Sequence, residues 1–307
     1  MAKNFTEYCK HNDNLHVFYI GFDLLDNGIG QVKDKFYNEV FDNLPAFAFG
    51  ESVLKQKISN NGLVPTLREA FNLIYNIPEV KIARDHYINN NVEDKYLKRG
   101  EFGELILFHL LKEFFNASSL ISKIYFKDSL GLPPHGFDAV HVDVENETIW
   151  LGESKLYQDK NRAINELVKD VIGYTHNGKE YKGHFCVDFF NSEFQIITNR
   201  LNDSKEKYPE FITKLLDSDT KTLDKLAKIN IALFAAFDSS VIKNYNEISF
   251  EKELREEVEA LYKLADKKLT NHPWHNHMNV FLFLFPLDDK MNFVRDLHLK
   301  LQGGQLI

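Results

Sequence analysis

The sequence predicts an α/β fold with a mixed sheet in the order helix, strand, strand, strand, helix, strand. Two segments carry apolar residues at helical spacing, a pair of strands lies between them, and a long apolar run follows the second helix. No Ser- or Pro-rich linker divides the 307 residues. We therefore expect a core domain over residues 96–307, with a C-terminal α/β extension, and an N-terminal elaboration over residues 1–95 packed on it.

The first 95 residues are mixed in character. HVFYIGFD, residues 16–23, predicts a strand. DNLPAFAFG, residues 42–50, reads as a loop punctuated by Pro and Gly; its aromatic side chains are expected to pack in the core, with exposure and contact with a partner as the alternative. TLREAFNLIY, residues 66–75, predicts a helix with Thr66 as the candidate N-cap, because a hydroxyl there can accept a bond from a free backbone amide.

The predicted core begins with a helix over residues 99–116, RGEFGELILFHLLKEFFN, in which apolar side chains recur on one face. SKIYFK, residues 122–127, follows as a strand, and residues 129–136 form a Gly- and Pro-rich loop. PHGFDAVHVDVENETIWLGESKLY, residues 134–157, reads as a hairpin. A second amphipathic helix then shows i, i+3, i+4 spacing over residues 164–172.

Two segments compete to be the next strand. GHFCVDFF covers residues 183–190 and INIALFAAF covers residues 229–237, and the longer apolar run favours the second. A later helix with a charged outer face is predicted over residues 250–265. MNVFLFLFPL, residues 278–287, predicts a buried strand, and a C-terminal helix follows it.

Composition indicates a globular protein, since 44% of residues are hydrophobic and 26 are Phe. Cys9 and Cys186 are the only cysteines, so neither a disulfide framework nor a zinc quartet is predicted, and a reducing cytoplasm is the expected location. No secretory signal is visible at the N-terminus, and the apolar residues 278–287 are too few to span a bilayer. With a net charge of −8 the chain lacks the basic footprint of an isolated nucleic-acid binder. A nucleic-acid substrate would need a local basic patch or a partner protein.

The predicted hairpin places Asp138, Glu153 and Lys155 within apolar strands. Buried charges are costly unless something pairs with them. A two-residue turn at positions 146–147 would set Asp138 opposite Lys155 and Val140 opposite Glu153, and would bring the three charged side chains to one face. Asn-Glu is not a favoured turn, and a register one residue different would send Asp138 to the other face.

Two carboxylates and a lysine in this arrangement suit phosphodiester hydrolysis. Mg²⁺ prefers oxygen ligands, so Asp138, Glu153 and the Ser154 carbonyl are the predicted ligands, with Mn²⁺ as an alternative ion. The metal lowers the pKa of a bound water and stabilises charge on the phosphate. Lys155 is predicted to orient that water or to stabilise the developing charge.

Asp138 followed by Glu153-Ser154-Lys155 resembles the signature of the PD-(D/E)xK nuclease superfamily. The predicted element order also resembles the restriction-endonuclease-like core of that superfamily. The resemblance implies that Asp138, Glu153 and Lys155 are catalytic. Phe137 stands where the signature has proline, at a position that varies in such enzymes.

Many members of that superfamily add a glutamate on the first helix. Glu104 in GEFGEL is the best match, and Glu101 is the second choice. Acidic residues in the first turn of a helix also complement its dipole, which is the alternative role for either residue.

RGEFGELILFHLL, YFKDSLGLPPHGFDAVHVD and IWLGESKLY resemble the HamA family, the nuclease-like subunit of the Hachiman anti-phage defence system. The likeness is strongest over residues 97–175. It implies a partner helicase, HamB, and DNA degradation that begins when the helicase senses abnormal DNA.

Two rival functions stay open at this point. A restriction-type endonuclease that binds its own site is disfavoured by the acidic net charge. A non-catalytic scaffold of the same fold that docks a helicase is disfavoured by Asp138, Glu153 and Lys155, because a scaffold has no need of three buried charges. The choice between DNA and RNA as substrate is not determined by these residues.

Two further groups of residues could have a functional role, but a simple structural role is expected for each. His272, His275 and His277 in HPWHNH can bind metals in principle, but the expected role is a loop before the strand that follows. Arg162 and Lys169 lie on the polar side of the second helix, where a solvated face is expected and phosphate contact is the alternative.

Overall fold

The structure is a computed structural model, and the part of the chain that it describes is given by residue ranges. These are residues 5–25, 28–75, 77, 92, 94–121, 137–186, 190, 194–195, 197–198, 201 and 208–306.

Strands in the described residues are named β1 to β11 in chain order. They are β1 (Thr6–Lys10), β2 (Leu15–Ile20), β3 (Phe22–Leu25), β4 (Gly28–Gln31), β5 (Ser118–Ile121), β6 (Ala139–Asp143), β7 (Thr148–Leu156), β8 (Tyr174–His176), β9 (Lys179–Tyr181), β10 (Ile229–Asp238) and β11 (Asn279–Leu287).

Helices in the same residues are named α1 to α12. They are α1 (Lys33–Asp42), α2 (Leu44–Phe49), α3 (Glu51–Asn61), α4 (Leu63–Ile74), α5 (Asp94–Leu97), α6 (Glu101–Phe115), α7 (Lys160–Ile172), α8 (Glu210–Leu216), α9 (Thr222–Leu226), α10 (Ser240–Lys243), α11 (Phe250–Leu269) and α12 (Lys290–Gln305). Within the described ranges, no helix combines the length and the apolar character needed to cross a bilayer.

A seven-stranded mixed sheet organises the fold, with strand order β1-β2-β11-β10-β7-β6-β5. Parallel pairing joins β7 to β10, β10 to β11 and β11 to β2, whereas β5–β6, β6–β7 and β1–β2 are antiparallel. Of the predicted order of helix, three strands, helix and strand, the first helix, the second and third strands, the second helix and the last strand are observed as α6, β6, β7, α7 and β10, while the first predicted strand lies outside the described residues. The α/β class is therefore confirmed.

Helices cover both faces of the sheet. Phe234 and Phe283 point into a core cluster that contains α6 and the N-terminal helices. Leu233 and Leu284, the alternate residues, point into a second cluster with α7 and α11. Because both faces are buried, β10 and β11 are almost wholly apolar, which is typical of parallel strands between two helical layers.

The first 95 residues contribute β1 and β2 to this sheet, since β2 pairs with β11. They also contribute α1 and α2 to the cluster on the α6 side. The division of the chain at residues 95 and 96 stays a prediction.

Two local predictions in this region are wrong. Helix α4 begins at Leu63, after Gly62 with φ of 84°, so Thr66 lies inside the helix and its hydroxyl donates to the Gly62 carbonyl at 2.8 Å. Residues 42–50 contain the helix α2 in place of the predicted loop, with Pro45 in the first turn, where its missing amide costs nothing. All side chains of α2 are buried, so the predicted core packing is confirmed.

Most later elements agree with the sequence. The strand chosen at residues 229–237 is confirmed by β10, and the helix at residues 250–265 is confirmed by α11. Residues 183–186 form a turn, so they start no strand. The predicted strand at residues 122–127 and the loop at residues 129–136 lie outside the described residues.

Candidate functional site

The β6–β7 hairpin has a different register from the predicted one. Asp143 pairs with Thr148 and Val140 pairs with Leu151, so the loop holds four residues and Glu153 does not face Val140. The loop closes through the Asp143 carboxylate, which accepts bonds from the backbone and side-chain nitrogens of Asn146 at 3.0 and 2.7 Å. The observed register differs from the predicted one by two residues. Because side chains alternate with a period of two, the residues within β6 and β7 still point to the predicted faces of the sheet.

Asp138 immediately precedes β6. Its side chain forms hydrogen bonds to β7. The backbone N–H and the hydroxyl of Ser154 both donate to Asp138 Oδ2, each at 2.9 Å. A carboxylate that accepts two bonds is held in one orientation, and charge-assisted bonds of this kind are stronger than neutral ones. Asp138 therefore contacts the Glu-x-Lys triplet through Ser154, and the convergence of Asp138 with Glu153 and Lys155 on one face stays a prediction.

Glu153 is buried, with only 4% of its surface exposed. Its Oε1 lies 3.3 Å from Nε2 of His184, a residue 31 positions later in the chain. The His184 ring in turn contacts the Phe137 ring in a tilted arrangement, with ring centroids 5.0 Å apart. A buried carboxylate is costly without compensation, and the contact with His184 supplies part of that compensation when the imidazole is protonated.

Lys155 forms an ion pair with Asp170 of α7, with Nζ 2.5 Å from Oδ2. Burial lowers the pKa of Lys155, but the carboxylates of Asp170, Glu153 and Asp138 outweigh that effect, so its pKa stands above the ordinary value of 10.5. The ammonium is therefore charged at neutral pH and lies within the field of all three carboxylates.

Helix α6 reaches the site through Gly103. A Cβ at Gly103 would stand 2.4 Å from Leu156 Cδ1 and 3.2 Å from Ser154 Oγ, so the helix packs closely on β7 and a larger residue would displace the Leu156 side chain. Glu104 is 9% exposed. It directly follows Gly103, the residue at which α6 packs against β7. Glu101 pairs with Arg99, which gives this second-choice glutamate a structural partner.

Three features of the site region have no counterpart in the predicted site. Asp170 and His184 contact the candidate lysine and glutamate, respectively. In the sequence, Asp170 is only weakly marked as a site residue, because it is an acidic residue beside the apolar stripe of α7. No sequence feature marks His184. The hairpin β8–β9 had a strong signal in Asn177-Gly178, the dipeptide favoured in two-residue hairpin turns.

The other candidates have ordinary surroundings. His275 and His277 form a single 3-10 turn before β11, and the His272 ring accepts a bond from the Trp274 amide at 3.1 Å, so the predicted loop role is confirmed. Arg162 lies over the Tyr157 ring. Lys169 donates to Glu166 at 2.8 Å.

A metal centre made only of side chains is not found in the part of the chain that the structure describes. No three His, Cys, Asp or Glu side chains there come together in a group able to hold an ion. The predicted set differs from such a group, because it uses two carboxylates and the carbonyl of Ser154.

Comparison with protein families identifies the chain. A model of the HamA family matches residues 2–301 of the 307. This chain belongs to the HamA family. HamA membership supports assignment to a Hachiman-type defence system. Comparisons with curated proteins and with solved structures gave no match.

Proposed function

We propose that this HamA-family chain is a metal-dependent deoxyribonuclease of the PD-(D/E)xK type and the effector of a Hachiman-type complex. The observation that carries the proposal is the arrangement at the start of β6 and the end of β7. There Asp138 is fixed by two bonds from Ser154, and the two neighbours of Ser154 in β7 are a buried glutamate and a lysine that is charged within the field of three carboxylates. The strand order and family membership agree with this reading.

Mg²⁺ fits the donor atoms of this site. Mg²⁺ usually takes one or two protein carboxylates and completes its octahedron with waters and substrate phosphate. Asp138 and Glu153 are the proposed carboxylate ligands, the Ser154 carbonyl is the proposed third ligand, and Glu104 on α6 is the proposed additional catalytic acidic residue. Glu153 is nearly inaccessible to water, so a dication would relieve the cost of its burial.

Each residue has a distinct proposed role. When bound, the ion supplies an activated water and stabilises charge on the phosphate. Ser154 orients Asp138 through two hydrogen bonds. Lys155 holds a positive charge toward the phosphate or the attacking water. Asp170 keeps that ammonium in place and charged.

The test is the rate at which Glu153→Gln and Lys155→Met cut labelled duplex DNA in Mg²⁺. We expect each to lose at least about a hundredfold in rate, because each removes a group that acts on the reacting phosphate. Matched controls come from the exposed pair Glu147 and Lys228, 3.6 Å apart at the turn end of β7. Glu147→Gln and Lys228→Met make the same chemical changes and should cut at the parent's rate.

Thermal unfolding must show that the site variants are folded, and Mg²⁺ titration should give weaker binding for Glu153→Gln than for Glu147→Gln. Cutting by Glu153→Gln at the parent's rate would remove the site assignment. Cutting that continues in a chelator would remove the metal. If neither the parent nor any variant cuts, even with its partner, the chain is a non-catalytic scaffold.

We further propose that a helicase partner restrains the nuclease. The support is family membership and the excess of 45 acidic over 37 basic residues, which disfavours long-range attraction of the lone chain to DNA. Restraint requires the helicase to bind the silent state better than the active one.

Co-expression with the helicase subunit and size exclusion should give a joint peak. Cutting by that complex should require ATP and a DNA trigger. Full cutting by the lone chain, unchanged when the helicase is added, would contradict the restraint and leave the nuclease assignment intact.

A further inference from the structure

We infer that the β8–β9 hairpin, residues 174–181, is a nucleic-acid contact that holds the DNA strand beside the candidate site. The inference rests on the proposed function for the identity of its ligand. Three observations support it. The hairpin is rigid and exposed, lysines lie over its aromatic rings, and the residues that flank the hairpin lie against the candidate site.

The hairpin is built to be rigid. Asn177 and Gly178, with φ of 49° and 75°, make the tight turn. At its base, a Cβ on Gly183 would lie 2.4 Å from both the Gly173 nitrogen and the Val171 carbonyl oxygen, so backbone packs directly on backbone. A hairpin fixed in this way keeps its orientation relative to the helix α7.

Nothing in the hairpin serves the core. Every residue from Tyr174 to Lys182 is exposed, including two tyrosines that are 42% and 37% exposed. With three residues in each strand, the hairpin reaches roughly 10 Å from its base, the length of about three base pairs along a duplex. An exposed projection of this kind is accessible to a ligand.

Its chemistry suits a polyanion. The rings of Tyr174 and Tyr181 stack with centroids 4.7 Å apart and planes 6° from parallel. Lys169 lies 5.1 Å from the centre of the first ring, and Lys179 lies 5.2 Å from the centre of the second. The Lys169 ammonium also donates to Glu166 at 2.8 Å, whereas the Lys179 ammonium, ordered over its ring, loses little freedom when it binds phosphate.

The local charge differs from that of the whole chain. Residues 160–183, which include α7 and the hairpin, carry five Lys or Arg against three Asp or Glu, whereas the rest of the chain carries 32 against 42. This is the local basic patch that an acidic nuclease needs if it is to hold phosphates.

The base of the hairpin lies against the candidate site. The His184 backbone N–H donates to the Asp170 carbonyl at 2.7 Å. The side chains of these two residues contact Glu153 and Lys155, respectively. A strand bound along the hairpin would therefore run toward the candidate catalytic groups.

The test measures binding without cleavage. The parent and the charge-reversal variant Lys179→Glu/Lys182→Glu are titrated into a labelled 25-base-pair duplex in Ca²⁺, over a series of salt concentrations. We expect affinity to fall at least about tenfold and the salt slope to fall by about two, because roughly two phosphate contacts are lost. Lys179→Arg/Lys182→Arg should restore binding.

The matched control is Lys35→Glu/Lys55→Glu, which makes the same charge change on α1 and α3, helices on the other face of the sheet. Its affinity should stay near the parent's. Equal DNA affinity for the parent and the hairpin charge reversal overturns the inference and leaves the hairpin as a surface for a protein partner. No measurable DNA binding by the parent overturns it as well.

Failure of this inference is separable from failure of the proposed nuclease. Binding lost in the hairpin variant, in a chain that never cuts, supports the contact and refutes the nuclease. Cutting lost in Glu153→Gln, with normal binding by the hairpin variant, supports the nuclease and refutes the contact.

Discussion

The ion pair between Lys155 and Asp170 should contribute measurably to the stability of the fold. Its atoms are 2.5 Å apart, and the two side chains are 24% and 30% exposed. Coulomb attraction at that distance is about 7 kcal/mol for an effective dielectric of 20 and about 2 kcal/mol in water. Loss of hydration offsets most of this, and we expect a net coupling of about 2 kcal/mol.

The measurement is a double-mutant cycle by urea unfolding at pH 7.5, with Lys155→Met, Asp170→Asn and the double variant. The cycle isolates the pair from the other neighbours of Lys155. The matched cycle uses Lys169→Met and Glu166→Gln, a pair at i, i+3 on α7 with more exposed side chains. That pair should couple by no more than about 0.5 kcal/mol.

The pair also predicts a pH dependence. The pKa of Lys155 is raised in the folded protein, so its contribution is complete below 10.5 and is lost as pH rises through the raised pKa. Asp170→Asn should therefore reduce the loss of stability above pH 10.5. A coupling no larger than that of the control cycle, or an unchanged alkaline limb, would refute this account of the site.

Two further predictions concern the elements that carry the site. Burial lowers the pKa of His141 to about 4. Its contribution to stability is therefore complete above pH 6.5, the ordinary pKa of histidine, and is lost as the pH falls below it. The free energy of unfolding should decrease by about 2 kcal/mol between about pH 7 and pH 5. In His141→Gln this part of the decrease in unfolding free energy should be absent. The same pH dependence of unfolding in the parent and the variant would disprove the prediction. Gly152→Val should lower the free energy of unfolding by at least about 1–3 kcal/mol, because even a Cβ would stand 2.7 Å from Leu107 Cδ2 and 3.0 Å from Ala139 Cβ. Gly28→Val, which meets nothing within 4 Å, should be near neutral in the same urea titration.

The charged residues of the site could be found from sequence because their signal is local. Asp138 and Glu153 interrupt apolar strands, and the alternation of side chains within each strand survives an error of two residues in the register. The turn could not be read in the same way. Its four-residue loop depends on Asp143 accepting bonds from Asn146, which competes with the two-residue alternative.

Competition between local alternatives also explains the errors in the first 95 residues. Thr66 looks like a cap, but Gly62 allows α4 to start a turn earlier. The apolar segment with Pro45 looks like a loop, but burial of every side chain in α2 outweighs the weak local preference.

By itself the sequence determined the α/β class, the main helices and strands around the β6–β7 hairpin, the buried character of the central strands, and the residue types that point to phosphodiester chemistry. Only the tertiary structure decided which groups accompany them. Asp170 reaches Lys155 because α7 folds back over β7, and His184 reaches Glu153 because two glycines let the chain return to the end of that helix. These contacts join residues 15 and 31 positions apart. Periodicity describes the face of one element, whereas pairing across elements depends on how the whole sheet and its helices pack.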